Sequence, residues 1–289
     1  MIKYKHFIIT FFNIRLVEQW HEDKKKLPTQ TEEWLSKRFN LFETFCFPSV
    51  KAQEDKNFTW ICLFDINTSE KYKQKIACYQ KEFPLFQPHF IGDGTLNDAA
   101  KYLQGVISSF MTVEDEYIIT TNLDNDDSIH CLMVKKIHSL LNESPQEGLY
   151  SFHKGIQYFS NLHMAFKMIY PHNHFLTLVE NNTTDFKTIE SYFHGSARKL
   201  LKAIDIKDKN YYWMEVVHNN NVSNDFRITT RIKYYPILTS LSLKDFGINT
   251  TIKWYQNTFN ALIRMPLVFL QVAIRKLSNK IKRKLSKKK

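Results

Sequence analysis

The sequence predicts an α/β protein with a mostly parallel central sheet flanked by helices. Apolar segments of strand length alternate with segments of ten to fifteen residues that have helical spacing. This alternation is typical of βαβ units. The chain has 289 residues, of which 43% are hydrophobic and 15% are aromatic. Such a composition is enough to bury a full core, and it excludes a disordered chain.

The strands are predicted from runs rich in Phe, Ile and other residues that favour extended backbone. No internal repeat and no long linker divides these runs, so we expect one domain over residues 1–262. In chain order, the predicted strands are Tyr4–Ile14, Phe58–Ile66, His89–Ile91, Glu116–Asn122, Gly148–Phe159, His174–Glu180 and Tyr211–Val217.

The helices are predicted from apolar residues that recur every three or four positions between these strands. Pro48 is expected to end the first helix, and Asp127 or Ser128 is placed to cap the fourth. In chain order, the predicted helices are Glu32–Phe47, Glu70–Glu82, Leu96–Phe110, Ser128–Asn142 and Thr188–Ile204.

The positive charge is concentrated in a carboxyl-terminal tail, residues 263–289. The net charge is +11, yet Arg264–Lys289 holds ten Lys or Arg and no acid, while the rest holds 30 bases and 29 acids. Leu270, Ile274, Leu277, Ile281 and Leu285 form one apolar stripe at helical spacing. A basic amphipathic helix of this kind typically lies in the interface of an anionic membrane. A solvated basic tail and an RNA-contacting arm remain open alternatives.

Two further observations bear on localisation. No apolar stretch approaches the eighteen residues that a membrane-spanning helix needs. The four cysteines contain no CxxC pair, so we expect reduced, buried thiols. With the basic tail, these features predict a cytoplasmic protein that is peripheral on the inner face of the plasma membrane. Because the body is neutral, we expect no specific nucleic-acid partner.

The segment Asp124-Asn125-Asp126-Asp127 is the strongest candidate for chemistry. It directly follows a predicted buried strand, and ligands of α/β sheets bind at the carboxyl ends of strands. Clustered carboxylates repel one another unless a cation compensates, and Mg²⁺ or Mn²⁺ prefers such oxygen ligands. The alternative is an acidic helix start, which would account for Asp127 and in part for Asp126 but not for Asp124.

The motif Asp124-Asn-Asp126 resembles the DxD motif of GT-A glycosyltransferases. Upstream, Pro48-Ser-Val-Lys-Ala-Gln53 followed by Phe58-Thr-Trp-Ile-Cys-Leu-Phe-Asp65 resembles a family opening. A later segment, Trp213-Met-Glu-Val-Val-His218, is similar as well. Together these motifs most resemble the bacterial rhamnosyltransferase family, over about residues 5–230. The resemblance implies a GT-A-like sheet and a metal-dependent transfer of a sugar, rhamnose by the family name, from a nucleotide-diphosphate donor to a glycan or lipid-linked oligosaccharide.

The resemblance also implies roles for individual residues. Asp124 and Asp126 would contact Mn²⁺ or Mg²⁺ and the donor diphosphate, and Asp65 would contact the base or ribose. His218 would complete the metal site from the second half of the chain. The implied nucleotide-sugar site is Asn13, Arg15, Asp65, Asp124 and Asn125, and the implied metal ligands are Asp124, Asp126 and His218.

Two assignments stay open at this point. An inverting transfer needs a general base for the acceptor hydroxyl, and the candidates are Asp127, Glu180, His194 and Asp225. An aromatic group is either core or an acceptor platform, and it comprises Phe152, Tyr158, Phe159, Phe166 and Tyr170. The competing functions are a metal-dependent phosphohydrolase or nuclease and a non-catalytic membrane-attached module.

Overall fold

A computed structural model describes residues 2–17, 30–192, 194–218 and 232–264, together with eight positions between 266 and 278. At residues 194 and 195 it describes the backbone alone. The strands are β1 (Tyr4–Phe11), β2 (Thr59–Asp65), β3 (Phe86–Ile91), β4 (Tyr117–Asn122), β5 (Ser128–Ile129), β6 (Gly148–Phe152), β7 (Lys154–Phe159), β8 (Met164–Ile169), β9 (Leu176–Asn181), β10 (Ala203–Ile206), β11 (Trp213–Val217), β12 (Lys233–Pro236), β13 (Leu241–Ser242) and β14 (Thr251–Ile252).

The helices alternate with the strands in the first half of the chain. The α-helices are α1 (Glu32–Leu41), α2 (Phe47–Lys51), α3 (Glu70–Glu82), α4 (Leu96–Phe110), α5 (Met133–Glu143), α6 (His194–Leu200) and α7 (Trp254–Phe259). Two π-helical turns, Phe42–Cys46 and Asn260–Arg264, adjoin α1 and α7, and short 3₁₀ turns cover Ser160–Leu162, Ile189–Ser191 and Lys244–Phe246.

The central sheet has seven strands in the order β10-β6-β9-β4-β1-β2-β3. Strands β3, β2, β1 and β4 are mutually parallel, β10 is parallel to β6, and β9 alone runs antiparallel to its neighbours β4 and β6. The predicted class, α/β with a mostly parallel sheet, is therefore confirmed. Because β1, β2 and β4 run in the same direction, their carboxyl ends meet at one edge of the sheet.

Helices cover both faces of this sheet, as expected when both faces of parallel strands are apolar. One core cluster joins residues of α1, α2, α3 and α5 to side chains such as Trp60 and Ile119. The other cluster joins α4 and α6 to Ile9, Ile61 and Ile118. Side chains of successive strand residues point to opposite faces, which is why neighbouring residues of β1, β2 and β4 divide between the two clusters.

A second sheet carries the later part of the chain, in the strand order β12-β8-β7-β11-β5. Its strand β11 pairs antiparallel with β5, which directly follows the acidic segment. This pairing joins the second half of the chain to the candidate site. A two-stranded sheet of β13 and β14 completes the described strands.

Four predicted elements differ from the structure. The helix predicted for Ser128–Asn142 begins only at Met133, because Ser128 and Ile129 pair with β11. The predicted strand Gly148–Phe159 divides at His153 between the two sheets. The predicted helix Thr188–Ile204 is a 3₁₀ turn, α6 and strand β10. Pro48 does not end the first helix, since the wider π turn before it lets helical backbone continue to Lys51.

The cysteines and the tail can be compared with their predictions only in part. All four cysteines are free thiols: Cys46 and Cys62 are buried, Cys131 is partly exposed and Cys78 is exposed. No helix in the described ranges is both long and apolar enough to cross a bilayer. Most of the tail, residues 263–289, lies outside the described residues, so its amphipathic helix stays a prediction.

Candidate active site at the carboxyl edge of the central sheet

The segment Asp124–Asp127 leaves β4 at the carboxyl edge of the sheet, as the sequence predicts. Leu123 N donates to Ile9 O at 2.9 Å, and the side-chain amide of Asn125 donates to Phe12 O at 2.6 Å. These bonds fix the segment against the end of β1. Asn125, Asp126 and Asp127 are buried, whereas the side chain of Asp124 is 45% exposed. Asp124 is therefore the carboxylate that a ligand can reach.

Asp126 is held by two basic side chains from distant parts of the chain. Its Oδ2 atom lies 2.7 Å from Nη1 of Arg38 and 2.8 Å from Nε2 of His218. The same guanidinium donates to Oδ1 of Asn125 at 3.0 Å. Burial opposes ionisation of Asp126, but the charge of Arg38 and the contact with His218 outweigh it and hold the pKa of this carboxyl well below its ordinary value. Asp126 is thus a buried, ionised anchor.

Asp127 forms a second ion pair, with His174. Its Oδ2 atom lies 2.7 Å from Nε2 of His174, and its Oδ1 accepts from Val216 N at 2.8 Å. Burial would lower the pKa of His174, but the hydrogen bond to Asp127 and the charge of Asp124 outweigh burial and raise this pKa to about 9. Burial raises the pKa of Asp127 as well, so the two side chains share one proton between them.

Helix capping does not explain the acidic segment. The helix that Asp127 was expected to cap begins at Met133, and Leu132 occupies the cap position. The Ser128 hydroxyl donates to Phe45 O at 2.9 Å instead of to the start of a helix. The acids are therefore held by tertiary contacts, and the alternative based on local helix chemistry is wrong.

Three side chains at this edge could hold a divalent cation. Ligand atoms of Asp124, Asp127 and His174 lie within 4.8 Å of one another. The predicted ligands Asp126 and His218 do contact each other, but the Arg38 guanidinium contacts the same carboxylate oxygen. That positive charge disfavours a dication there. Among the described residues there is a second group of possible ligands, next to strand β5 of the second sheet. It consists of His130, Cys131 and Asp245.

Three of the five residues predicted for the nucleotide-sugar site, Asn13, Arg15 and Asp65, lie together beside the acidic segment. Arg15 Nε lies 2.7 Å from Oδ2 of Asp65, and Asp65 N donates to Oδ1 of Asn13 at 3.2 Å. The other oxygen of Asp65 accepts from Asn67 N at 2.7 Å. Both oxygens of this buried carboxylate are thus occupied within the chain. The Arg15 side chain, 47% exposed, is the member of the group open to a ligand.

Glu190 is a buried acid within electrostatic range of Asp124, and it was not predicted from the sequence. It lies in the 3₁₀ turn Ile189–Ser191, where Ile189 N donates to Oγ1 of Thr120 on β4 at 3.0 Å. The side chain of Glu190 is buried, and its Oε1 atom has no hydrogen-bond partner. Burial, with a smaller contribution from the charge of Asp124, raises the pKa of Glu190 to about 8. The only signal in the sequence is an acid in the first turn of the helix predicted over Thr188–Ile204, which is commonplace.

The structure brings only some of the four predicted general bases near the site. Asp127 is fully buried and accepts two hydrogen bonds, so it is closed to an acceptor hydroxyl. Glu180 pairs in register with Ile118, at the amino end of β4. That places it six residues of extended chain, roughly 20 Å, from Asp124, so the structure does not bring it to the site. Asp225 and the side chain of His194 lie outside the described part of the chain.

The aromatic group proposed as an acceptor platform is mostly core. Phe152, Tyr158, Phe159 and Phe166 are buried, and Tyr170 is partly buried. They divide among three different apolar clusters on β6, β7 and β8. Because no common surface displays them, the core interpretation holds and the platform is wrong.

Three comparisons relate the chain to known proteins. A family model described as "Putative rhamnosyl transferase" matches residues 9–230. No curated protein sequence matches the chain. Among solved structures, the chain is similar to residues 1–349 of S. aureus TarS at 10% identity and a TM-score of 0.42, covering 73% of this chain and about 60% of that one. It is also similar to a nucleotide-diphospho-sugar transferase of Desulfovibrio desulfuricans G20, described as putative, at 6% identity and a TM-score of 0.36, covering 76% and 84%.

Proposed function

Because the chain belongs to the family described as "Putative rhamnosyl transferase", and is therefore a glycosyltransferase, we propose that it uses Mn²⁺ or Mg²⁺ to transfer a sugar, rhamnose by the family name, from a nucleotide-diphosphate donor. The acceptor would be a glycan or a lipid-linked oligosaccharide. The observation that carries this proposal is the half-exposed Asp124 carboxylate, which lies beside Asp127 and His174 at the carboxyl edge of the sheet.

For the cation we propose the ligands Asp124, Asp127 and His174, and its binding would displace the proton that Asp127 and His174 share. This set shares only Asp124 with the set expected from the sequence, and it is favoured because Arg38 already neutralises Asp126. When bound, a divalent cation supplies positive charge that stabilises the departing diphosphate. Asp126, Asn125 and Arg38 then serve to hold the loop in place, since their hydrogen bonds tie it to α1 and to the end of β1.

The nucleotide would lie along the neighbouring strand ends. The exposed guanidinium of Arg15 is available to the donor. Asp65 orients this guanidinium through their ion pair, and Asn13 in turn accepts a hydrogen bond from Asp65 N. Asn13 also donates to Oγ1 of Thr68 at 3.1 Å, which fixes its amide. Because these contacts already fix the Arg15 side chain, it loses little conformational entropy when the donor binds.

For the proton of the acceptor hydroxyl we propose Glu190 as general base. Its buried Oε1 has no partner in the protein, and we propose that acceptor binding opens this position to the substrate hydroxyl. The acceptor oxygen would bond to the anomeric carbon while the bond to the diphosphate oxygen breaks. Glu190 would receive the hydroxyl proton, and the nucleoside diphosphate would leave with the electron pair of the broken bond. A pKa raised to about 8 suits a base that works near neutral pH.

We further propose that the catalytic domain spans residues 1–262 and that residues 263–289 attach it to the inner face of the plasma membrane. The tail carries ten Lys or Arg from Arg264 onward and no acid. Each cation near an anionic surface contributes about 1 kcal/mol. Attachment there would place the site next to lipid-linked acceptors, while soluble glycans would still reach it.

The experiment is thermal unfolding with nucleoside diphosphates and sugar nucleotides, each with and without Mn²⁺. A ligand at a hundredfold excess over its dissociation constant stabilises the native state by about 2.7 kcal/mol. We expect one nucleotide to raise the melting temperature only when Mn²⁺ is present, and we expect Asp124→Asn to abolish the rise. Glu114→Gln, which neutralises an exposed acid paired with Lys3, is the matched control and should behave like the wild type.

Two results would contradict the proposal. A flat response to every donor by intact, folded protein would remove the donor site. Metal-dependent cleavage of nucleic acid without any sugar donor would favour a nuclease instead. Substitution of His174 or His218 by Gln separates the two ligand sets, because only the His174→Gln variant should lose Mn²⁺ binding outright.

A further inference from the structure

The helical segment Trp254–Arg264, formed by α7 and the π turn after it, has its polarity reversed relative to an ordinary surface helix. Its buried residues are Asn257 and Asn260, which are 2% and 3% exposed. The side-chain amide of Asn257 donates to Thr239 O at 3.0 Å, and that of Asn260 donates to Leu162 O at 3.5 Å. Polar side chains therefore attach this segment to the body, through bonds to backbone carbonyls.

The apolar residues of the same segment point outward. We call this set the outer face: Trp254, Tyr255, Phe259, Leu262 and Ile263, each between 50% and 67% exposed. Leu238 is 54% exposed and adjoins the face, since its carbonyl accepts from Oγ1 of Thr258 at 3.4 Å. Among the described positions of the tail, the side chains of Leu267, Leu270 and Ile274 are also exposed.

An exposed apolar face of this kind indicates a contact with another molecule or with a membrane. Single exposed apolar residues are common, but contiguous apolar patches on a soluble surface mark contact with another molecule or with a membrane. Trp and Tyr in particular are enriched at membrane interfaces, where an apolar ring and a polar atom are accommodated together. The outer face begins with this pair.

Charge identifies the partner. No acidic residue follows Asp245, while Lys253 precedes the outer face and Arg264 ends it. The guanidinium of Arg264 lies over the Phe259 ring, 5.8 Å from its centroid. Nine further Lys or Arg lie beyond Arg264. An apolar face that is flanked along the chain by cations, with no acid between Asp245 and residue 289, is complementary to a bilayer with anionic headgroups.

We propose that the outer face of residues 254–263 inserts into the headgroup region of an anionic bilayer, so that the folded catalytic domain itself contacts lipid. The tail alone would tether the domain loosely. The outer face would instead fix how the domain sits on the membrane, because α7 is bonded to the body through Asn257 and Asn260. This inference rests on the membrane attachment proposed above, for which the tail supplies the charge.

The test is sedimentation of the full chain with vesicles of phosphatidylcholine, alone and in an equal mixture with phosphatidylglycerol. Three variants are compared: Phe259→Ser/Leu262→Ser on the outer face, Val113→Ser/Leu200→Ser at two exposed apolar positions elsewhere, and Lys282→Gln/Arg283→Gln/Lys284→Gln in the tail. We expect the outer-face variant to bind the anionic vesicles at least about tenfold more weakly, and the control at Val113 and Leu200 to bind like the wild type.

Each result decides the question. Binding of the outer-face variant equal to that of the wild type overturns the inference and leaves attachment to the tail alone. Wild-type protein that ignores both vesicles overturns membrane attachment altogether. A wild-type dimer that becomes monomeric in the outer-face variant assigns the face to a second copy of the chain. Transfer to a soluble acceptor should be unchanged in the outer-face variant, which separates this test from failure of the catalytic proposal.

Discussion

Two buried histidine clusters in this molecule use the same residue types for different purposes. In the first, His6 and His138 contact each other through Nδ1 and Nε2 at 3.0 Å, and His138 Nδ1 lies 2.7 Å from Oδ2 of Asp55. The remaining nitrogen of His6 contacts Oγ1 of Thr121 at 2.8 Å. Every imidazole nitrogen of this cluster has a partner within the chain.

The second cluster, at the carboxyl edge of the sheet, is not closed in this way. Among the residues that the structure describes there, acids outnumber bases, Asp124 is half exposed, and the Oε1 atom of Glu190 has no partner. Burial, together with the neighbouring histidine, lowers the pKa of His6, whereas carboxylates raise the pKa of His174 to about 9. A cluster whose polar atoms are all paired stabilises the fold, and a cluster that leaves one carboxylate oxygen unpaired is prepared for a ligand.

The sharpest test of this contrast is Glu190→Gln. If the unpartnered carboxylate is the general base, kcat should fall by about 10² to 10⁴ while the donor KM changes little. The folded state should not weaken, because a buried carboxylate without a partner costs free energy. The measurement is steady-state kinetics with the donor that the unfolding assay identifies.

Glu180→Gln is the matched control. Burial also raises the pKa of Glu180, to about 7, but this acid pairs with Ile118 at the opposite edge of the sheet from the acidic segment. Its kcat should stay within a few-fold of the wild type. Equal losses of kcat in the two variants would show that both carboxylates act on the fold and neither on the reaction.

The next largest effect is expected from Arg38→Met. Removing the guanidinium leaves Asp126 buried with one partner fewer, and breaking a buried ion pair in this way costs about 3–5 kcal/mol. Urea unfolding measures the loss. Adding Asp126→Asn to the same protein should recover much of it, because the uncompensated charge is then gone.

The surface pair of Lys51 and Glu82 provides the comparison for that experiment. Lys51→Met should cost less than about 1 kcal/mol, as exposed ion pairs contribute little. Arg38→Met with an effect as small as that of Lys51→Met would mean that Asp126 does not need its ion pair, and the contrast between buried and exposed pairs would fail.

The smallest predicted effect concerns pH and the closed cluster. Burial lowers the pKa of His138 in the folded protein, so the unfolded chain binds the proton more tightly. The stabilisation is therefore present above the unfolded pKa of about 6.5 and is lost as pH falls below it. The stability advantage of wild type over His138→Gln should shrink by about 1 kcal/mol between pH 7.5 and pH 5.5 in urea unfolding.

An advantage that stays constant or grows on acidification would contradict this prediction, since it would mean that His138 carries a proton in the folded state. Imidazole resonances of His6 and His138 offer a direct check. Both should titrate at a lower pH than an ordinary histidine, which is half protonated at about pH 6.5.

Helices α3 and α4 have the bounds predicted from sequence because their signals are local. Thr95 and Asp98 form a reciprocal capping box at the start of α4, and apolar spacing defines the buried side of each helix. The acidic segment and the strand before it were also predicted in place. Ser128 could not be predicted, because its conformation is decided by β11, some eighty-five residues later.

What the sequence determined by itself is the α/β class, the position of the acids at the end of a strand, the polar ends of β1 and β2, and the concentration of charge after residue 263. These follow from periodicity and composition, which act over a few neighbouring residues. Only the tertiary structure decided that Arg38 neutralises Asp126, that His174 joins Asp127, and that Glu190 is buried without a partner. Each depends on which distant groups share a low-dielectric space, and burial and charge pairing are properties of the folded chain.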